Sequence, residues 1–266
     1  MPNLLINNWI CKLAFALIVF ANIGCYEPES ACLDLLANNY DVSADNDCQD
    51  CCTYPSIVIE MDHLWQDTSF RFGDTLTNNL GSSFLLLDQK FYLSNWTYHL
   101  SDGSSFKSRD SISLFISENE EFFKKDIVIV RQNQSTISNH TYRREGTLEA
   151  CSFTLGVSDA LNEISSEEAE EYSPLNFDND LYIDQAFQSH WLQLGIGPTY
   201  SDTVNLYFDE DIAFSSSVNK NFQKGENISI PLTLIYDTLF SNISFEMSSA
   251  NEIKNQIRVN KTNWIR

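Results

Sequence analysis

The chain has 266 residues, with 16 basic and 37 acidic side chains and a formal net charge of −21 at pH 7. This negative charge excludes nucleic acid as a partner, because such a chain repels phosphates instead of releasing their counterions. The sequence contains no G-x-S-x-G elbow, Walker loop, G-x-G-x-x-G or H-E-x-x-H motif. We therefore predict a protein that is not an enzyme, and we assign no catalytic residue.

Residues 1–24 are predicted to be an export signal. Lys12 is the only charge before Cys25, and residues 13–23 form an apolar run of eleven residues. That run is shorter than the roughly 20 residues needed to cross a bilayer, but it fits a secretory signal with Gly24 before the cut. A cysteine at this position is the acylation site of bacterial lipoproteins, so Cys25 is the predicted lipidation site. The alternative is an ordinary signal peptide with Cys25 in a disulfide.

The mature chain is expected in the cell envelope. Without residues 1–24 its net charge is −22, and no later apolar run is long enough to cross a membrane. We therefore expect a lipoprotein anchored in the outer membrane, facing the periplasm or the outside, that contacts the membrane through its lipid alone.

Residues 25–55 are predicted to form a small module rich in cysteine and aspartate. Its four cysteines predict two disulfides, since the chain is exported to an oxidising compartment. Adjacent Cys51 and Cys52 rarely bond to each other, so each is expected to pair with Cys32 or Cys48. The pattern C-L-D-x-x-A-x-N-Y-D-x-x-A-D from Cys32 resembles a module common at the start of Bacteroidetes surface lipoproteins.

The same module offers possible oxygen ligands for calcium, which takes six to eight of them. The carboxylates are those of Asp41, Asp45, Asp47 and Asp50. Their spacing is not that of an EF-hand loop. The alternative is therefore a disulfide-linked stalk whose acidic side chains are solvated.

Residues 56–266 are predicted to form an all-β domain, an antiparallel β-sandwich, because short β-rich runs alternate with turn residues. Pro231 indicates an edge strand or a bulge. Residues 158–172 predict a short acidic helical insertion, and Cys151 is expected to be a buried free thiol. The predicted strands are 57–61, 83–88, 90–100, 111–117, 126–132, 147–157, 203–208, 228–236 and 241–247.

The first of these strands carries a candidate metal site. By strand alternation Met61, His63 and Trp65 point to one face. A thioether beside an imidazole suits copper. His190, followed by Trp191, is the second candidate ligand and follows the acidic insertion. The alternative is that each histidine is a partly buried polar residue beside an aromatic ring.

Five motifs, in order, resemble the MbnP-like family of methanobactin-associated periplasmic proteins and their lipoprotein relatives. The resemblance implies a β-sandwich in the periplasm or on the cell surface, with copper bound in some members. It also implies a dihaem, peroxidase-like partner associated with oxidising a tryptophan near the copper. The motifs are IVIEMDHLW (57–65), FGDTLTNNLG (72–81), KFYLSNWTYHLSDG (90–103), SFTLGVSDALN (152–162) and KGENISIPLTLIYDTLF (224–240).

Some residues match the motifs of the family better than others. His63 matches the early histidine of the family, with Met61 and Trp65 on the same strand. His190 and Trp191 fall roughly where relatives have a tryptophan-rich stretch, so Trp191, with Trp65, is a candidate for an aromatic residue that lines the site or is modified. The later H-I-G-G motif of the family has no counterpart, because residues 206–214 read LYFDEDIAF. His190 would have to replace that histidine; otherwise the chain is an interaction or structural lipoprotein that kept the fold, lost the metal and binds a protein or glycan.

Overall fold

The computed structural model describes residues 27–107, 111–116, 119–124, 126–132, 134–158, 161, 164, 173–175, 180–246 and 248–266. The strands are β1 (Ser30–Ala31), β2 (Asn46–Asp47), β3 (Ser56–Trp65), β4 (Thr68–Ser69), β5 (Thr75–Thr77), β6 (Ser83–Leu100), β7 (Ser105–Phe106), β8 (Ser111–Ile116), β9 (Asn119–Lys124), β10 (Val128–Arg131), β11 (Thr136–Thr141), β12 (Gly146–Leu155), β13 (Tyr182–Ile183), β14 (Ala186–Phe187), β15 (His190–Ile196), β16 (Asp202–Phe208), β17 (Ile212–Phe222) and β18 (Ile228–Ile235). The helices are α1 (Tyr236–Leu239) and α2 (Ala250–Asn260), and 3-10 turns cover Gln49–Cys51, Ser173–Leu175 and Lys261–Asn263.

The chain divides into two compact units, of which the smaller contains residues 27–35 and 39–52. Its strands β1 and β2 pair in parallel, with Ser30 opposite Asn46. Disulfides join Cys32 to Cys52 and Cys48 to Cys51. The predicted pair of disulfides is therefore present, and neither joins Cys51 to Cys52.

The larger unit contains residues 36–38 and 53–266 and is built on two sheets. The first has the order β16-β15-β6-β12-β17, and β5, β7 and β10 also pair with β6. Strand β6 is 18 residues long, where the sequence predicted two strands. It stays continuous through Asn95, which has φ of 56°, and the pairing with β12 shifts between Ser152 and Thr154. An irregularity of this kind lets one strand bend without ending.

The second sheet has the order β11-β3-β18, with β4 also paired to β3. Pro231 lies in β18, which is an edge strand of this sheet among the described residues, as its proline predicts. β18 runs parallel to β3, in contrast to the antiparallel pairing elsewhere in the sandwich. Near the chain terminus, the Thr233 amide donates to the Arg266 carbonyl at 2.7 Å and the Arg266 amide donates back at 3.0 Å. The last residues therefore cover part of the β18 edge.

The two sheets enclose the main apolar core, and the larger unit is a β-sandwich. Ile57, Ile59 and Met61 of β3 are buried at alternate positions, and Trp65 packs edge-on against Phe84 of β6, with 5.7 Å between ring centroids. Full burial of side chains of this size contributes about 1.5–3 kcal/mol each. Alternation on β3 therefore decides which residues face the opposite sheet.

The C-terminal region differs from the prediction in two ways. Residues 241–246 form turns and not the predicted strand, because Asn242 adopts a φ of 59° and Ile243 and Phe245 fill the core from a turn. Helix α2 was not predicted. Its capping box is formed by Ser249 and Glu252, whose side chains bond to each other's backbone amides.

Three further outcomes concern other predicted features. The acidic helix predicted at 158–172 falls almost wholly outside the described residues. Cys151 is a buried free thiol, as predicted, and burial raises its pKa to about 12. Across the part of the chain that the structure describes, no helix is both long and apolar enough to span a membrane.

Candidate metal site

Strand β3 places Met61 and His63 on the same side. Met61 is buried, Asp62 is exposed and His63 is half-buried. Side chains two residues apart on a strand share a face, so the thioether and the imidazole point the same way. Trp65 continues that face into the core. The sequence predicted this arrangement directly from the alternation.

Both ring nitrogens of His63 have hydrogen-bond partners. Nε2 lies 3.2 Å from the Gln134 carbonyl oxygen, and Nδ1 lies 2.8 Å from the Tyr236 hydroxyl oxygen. A carbonyl can only accept, so Nε2 carries the proton and Nδ1 accepts from Tyr236. The Tyr236 oxygen in turn accepts from the Gln89 side-chain amide. These contacts define one tautomer of His63.

The protonation state of His63 follows from its burial. Desolvation is the largest influence and lowers the pKa of the imidazole below its usual value, against a smaller opposing effect of the Gln134 carbonyl. His63 is therefore neutral at pH 7. Its Nδ1 lone pair would be available to a metal ion only if the Tyr236 hydroxyl moved away.

His190 lies in a very different environment. It is fully buried at the start of β15, stacked on Trp264 at 4.8 Å and on Phe208 at 5.5 Å between centroids. Phe91 contacts it edge-on at 5.5 Å. Neither ring nitrogen has a hydrogen-bond partner among the described residues. Burial, and secondly the charge of Lys261, hold its pKa well below the usual value.

Lys261 brings a buried amine close to His190. Its side chain is fully buried, its Nζ lies 3.5 Å from the centroid of the Phe208 ring, and Glu210 lies 3.4 Å away. Desolvation lowers the pKa of Lys261 to about 7, although Glu210 acts in the opposite direction. A partly protonated amine at this position opposes the approach of a cation to His190.

The two histidines belong to one aromatic cluster. His63 stacks on Tyr236 at 5.7 Å, Tyr236 contacts Trp264 edge-on at 5.8 Å, and Trp264 stacks on His190. The structure thus connects the predicted ligands through Tyr236 and Trp264 and not through direct contact. Tyr236, Trp264 and Lys261 were not predicted as site residues.

The two candidate site-lining tryptophans make their ring contacts away from the two histidines. Trp191 follows His190 on β15 and so faces the opposite side of the sheet. There it packs in a second apolar cluster, and the Lys90 Nζ lies 5.4 Å from the centroid of its ring. Trp65 lies in the main core against Phe84. The tryptophan that contacts His190 is Trp264.

The donor chemistry of Met61 and His63 fits copper(I). A thioether and a neutral imidazole are ligands that favour this soft ion. Within the described residues, no three histidine, cysteine, aspartate or glutamate side chains form a group able to hold a metal ion. A copper ion would therefore depend on the methionine and histidine donors of β3.

Three of the four carboxylates predicted as calcium ligands bond to backbone amides of their own module. Asp41 Oδ1 accepts from the Ser43 amide at 2.8 Å, Asp45 Oδ2 accepts from the Glu29 amide at 2.9 Å, and Asp47 Oδ1 accepts from the Leu33 amide at 3.2 Å. The first bond fixes a turn, and the other two join segments that are distant in sequence.

Fold and site together define a two-sheet β-sandwich with histidines in an aromatic cluster and a cysteine-rich N-terminal unit. The chain belongs to the MbnP family, whose model matches residues 54–261. Among solved structures, MbnP from Methylosinus trichosporium is similar at 12% identity, over 73% of this chain and 81% of that chain, with a TM-score of 0.44. Comparison with curated protein sequences gives no match.

Proposed function

We propose that this chain is a non-enzymatic, lipid-anchored cell-envelope protein that binds one copper(I) ion through His63 and Met61. The observation that carries the proposal is a neutral imidazole and a thioether on one face of β3. Membership of the MbnP family supports it, since the copper-binding relatives belong there.

The residues around His63 have separate roles in this proposal. The Gln134 carbonyl keeps the proton on Nε2 and so reserves Nδ1 for the metal. The Tyr236 hydroxyl protects Nδ1 and must release it when copper arrives. A typical protein hydrogen bond contributes about 0.5–1.5 kcal/mol, so this exchange lowers the affinity by roughly two- to tenfold. Bound copper(I) would supply a redox-active centre beside an aromatic cluster.

The location and partner are part of the same proposal. The signal-like residues 1–24 and the cysteine that follows support acylation at Cys25 and attachment to the outer membrane. The family resemblance supports a dihaem, peroxidase-like partner protein. The net charge of −22 on the mature chain supports a partner other than nucleic acid.

The test is metal analysis of protein purified without chelators, followed by anaerobic copper(I) competition titration. Ascorbate serves as the reductant, because thiols would open the two disulfides. We expect near-stoichiometric copper. His63→Ala and Met61→Leu should each lower the affinity about tenfold or more, because each removes a ligand.

His99→Ala is the matched control. His99 also lies on a central strand and bonds through Nε2 to Ser152 at 3.0 Å, but its strand β6 and its partner strand β12 belong to the sheet that does not contain β3. This variant should bind copper as the unmodified protein does. Unchanged affinity in both His63→Ala and Met61→Leu, with folding verified by circular dichroism, would refute the assignment of ligands.

A second function has an observation in its favour. Both His63 nitrogens are already hydrogen-bonded, and a buried lysine lies near His190. These contacts support a scaffold that kept the fold, lost the metal and binds a protein or glycan through its loops. A well-folded sample without copper, and without measurable copper(I) affinity, would contradict the first function and favour the second.

A further inference from the structure

The two disulfides of the N-terminal unit differ in the number of residues between their cysteines and in the exposure of those cysteines. Cys32–Cys52 spans 20 residues of sequence, and Cys32 is fully buried. Cys48–Cys51 spans three residues within one 3-10 turn, and Cys51 is exposed. Long closed loops constrain the unfolded chain more than short ones, and exposed disulfides are the ones open to exchange. The first bond is therefore structural and the second is accessible.

The turn that carries Cys48 and Cys51 is held without its disulfide. The Cys51 amide donates to the Cys48 carbonyl at 3.0 Å, and the Asn39 side-chain amide donates to the Cys51 carbonyl at 2.8 Å. The Cys48 amide donates to the Ala31 carbonyl, also at 3.0 Å. These bonds keep the two Cα atoms, which are 5.6 Å apart, at bonding distance after reduction. The pair can therefore open and close while the unit stays folded.

We propose that Cys48–Cys51 is a reversible redox site that accepts electrons from a dithiol. A thiolate of the dithiol attacks the sulfur of Cys51, the more exposed residue of the pair, the bond between the two sulfurs breaks, and Cys48 leaves with the electron pair and takes up a proton. The second thiol of the donor then attacks its own sulfur in the mixed disulfide and releases Cys51. One protein disulfide is thereby reduced to two thiols, and the donor dithiol is oxidised to a disulfide.

The charge of the unit selects the donor. Residues 27–52 contain seven acidic side chains and no basic one. Asp50 lies between the two cysteines and is exposed, and Asp47 directly precedes Cys48. An acidic surface attracts cationic reactants and repels anionic ones, most strongly at low salt. The donor is therefore a cationic dithiol, such as a thiol protein whose active site lies on a basic face.

The first test is a redox titration of the mature chain carrying Cys25→Ser, equilibrated in mixtures of reduced and oxidised dithiothreitol. Alkylation and mass spectrometry then report each cysteine pair separately. We expect Cys48 and Cys51 to become half-reduced at a reductant-to-oxidant ratio about 100-fold lower than Cys32 and Cys52. Simultaneous reduction of the two pairs, or earlier reduction of Cys32–Cys52, would overturn the proposal.

The second test compares two small thiols at equal thiolate concentration. Cysteamine, which is cationic, should reduce Cys48–Cys51 about tenfold faster than the anionic 3-mercaptopropionate at low ionic strength, and the difference should shrink at 0.5 M salt. Asp47→Asn combined with Asp50→Asn should reduce the preference. An equal rate for both thiols at low salt would refute the cationic donor.

A matched pair of variants separates redox chemistry from folding. Cys48→Ser with Cys51→Ser should keep the circular dichroism spectrum and lose the easily reduced pair, since backbone bonds hold the turn. Cys32→Ser with Cys52→Ser should destabilise the small unit. Unfolding of the unit in the first variant would contradict a reversible site, because it would show that the Cys48–Cys51 bond is structural. Neither result depends on copper binding at His63.

Discussion

The aromatic cluster has a His63 side and a His190 side. The two imidazoles differ in their burial and in their hydrogen bonds. On the His63 side, every ring nitrogen has a partner and the imidazole is only half-buried. On the His190 side, the imidazole is fully buried, stacked between Trp264 and Phe208, and without a hydrogen bond from the described residues. The comparison shows that two histidines in one core can be held differently, one by hydrogen bonds to both ring nitrogens and one by packing.

The energetics of the His190 side are unusual. A buried polar group without a hydrogen bond costs about 1–3 kcal/mol. Each stacked aromatic pair stabilises the fold by about 0.5–1.5 kcal/mol beyond the effect of burying its surface. The rings of Trp264 and Phe208 thus offset much of the cost of His190. The contribution of the His190 side to stability should therefore depend on packing and protonation. The contribution of the His63 side should depend on one hydrogen bond.

The largest expected effect comes from Trp264, which is fully buried and contacts both Tyr236 and His190. Trp264→Ala should lower the free energy of unfolding by about 3–5 kcal/mol, because it leaves a large cavity in the core. Urea denaturation measures the change. Val259→Ala, at a position 69% exposed on α2, is the control and should change stability by less than about 0.5 kcal/mol. A loss below 1 kcal/mol for Trp264→Ala would show that the cluster does not hold the sheets together.

The next effect is a loss of stability as the pH falls. Lys261 has its pKa lowered from 10.5 to about 7 by burial, and His190 also has a lowered pKa. Each binds a proton more readily in the unfolded chain, so protonation favours unfolding. The Lys261 contribution is lost as the pH falls from about 10 to about 7, and the His190 contribution is lost below about pH 6.5. His63, whose pKa is also lowered, acts in the same direction.

The measurement is the urea midpoint between pH 8.5 and pH 5, because above this range Cys151 and the buried tyrosines, whose pKa values are raised, destabilise the fold as the pH rises. We expect stability to fall by about 2 kcal/mol between pH 8.5 and pH 7, since each unit of pKa shift is worth about 1.4 kcal/mol. Lys261→Met should flatten this part of the profile. Lys224→Met, at an exposed position, should leave it unchanged. A profile that is flat from pH 8.5 to pH 7 in the unmodified protein would contradict a buried amine at Lys261.

The smallest effect concerns the His63 side. Tyr236→Phe removes the hydroxyl that occupies Nδ1 of His63 and accepts from Gln89. We expect a loss of about 1 kcal/mol in stability and a two- to tenfold gain in copper(I) affinity, because Nδ1 no longer has to leave a hydrogen bond. Tyr207→Phe, which removes a hydroxyl on the other face of the sheet, is the control. Weaker copper binding in Tyr236→Phe would show that the hydroxyl is not competing with the metal.

Local patterns in the sequence predicted the first strand and the edge proline. The alternation in IVIEMDHLW placed Met61 and His63 on one face, and Pro231 indicated an edge strand. Helix α2 was predictable in principle, since Ser249 and Glu252 form a capping-box pattern in the sequence. Strand β15 was missed, and with it the fact that neighbouring His190 and Trp191 face opposite sides of a sheet.

Other parts of the site depend on contacts between distant residues. The hydroxyl that bonds to His63 belongs to Tyr236, 173 residues further along the chain. Trp264 lies in the last three residues, where the sequence has no period that would indicate a core position. The amine near His190 comes from Lys261, a residue type that is normally exposed. These partners are set by how the C-terminal segment packs across the sandwich.

The most direct measurement of the central claim is copper K-edge X-ray absorption on the copper(I)-loaded protein with both disulfides oxidised. His63 and Met61 as ligands predict one sulfur and one imidazole nitrogen in the first coordination shell, with the sulfur lost in Met61→Leu and the nitrogen lost in His63→Ala. A shell without sulfur, or a spectrum unchanged in both variants, would contradict the account.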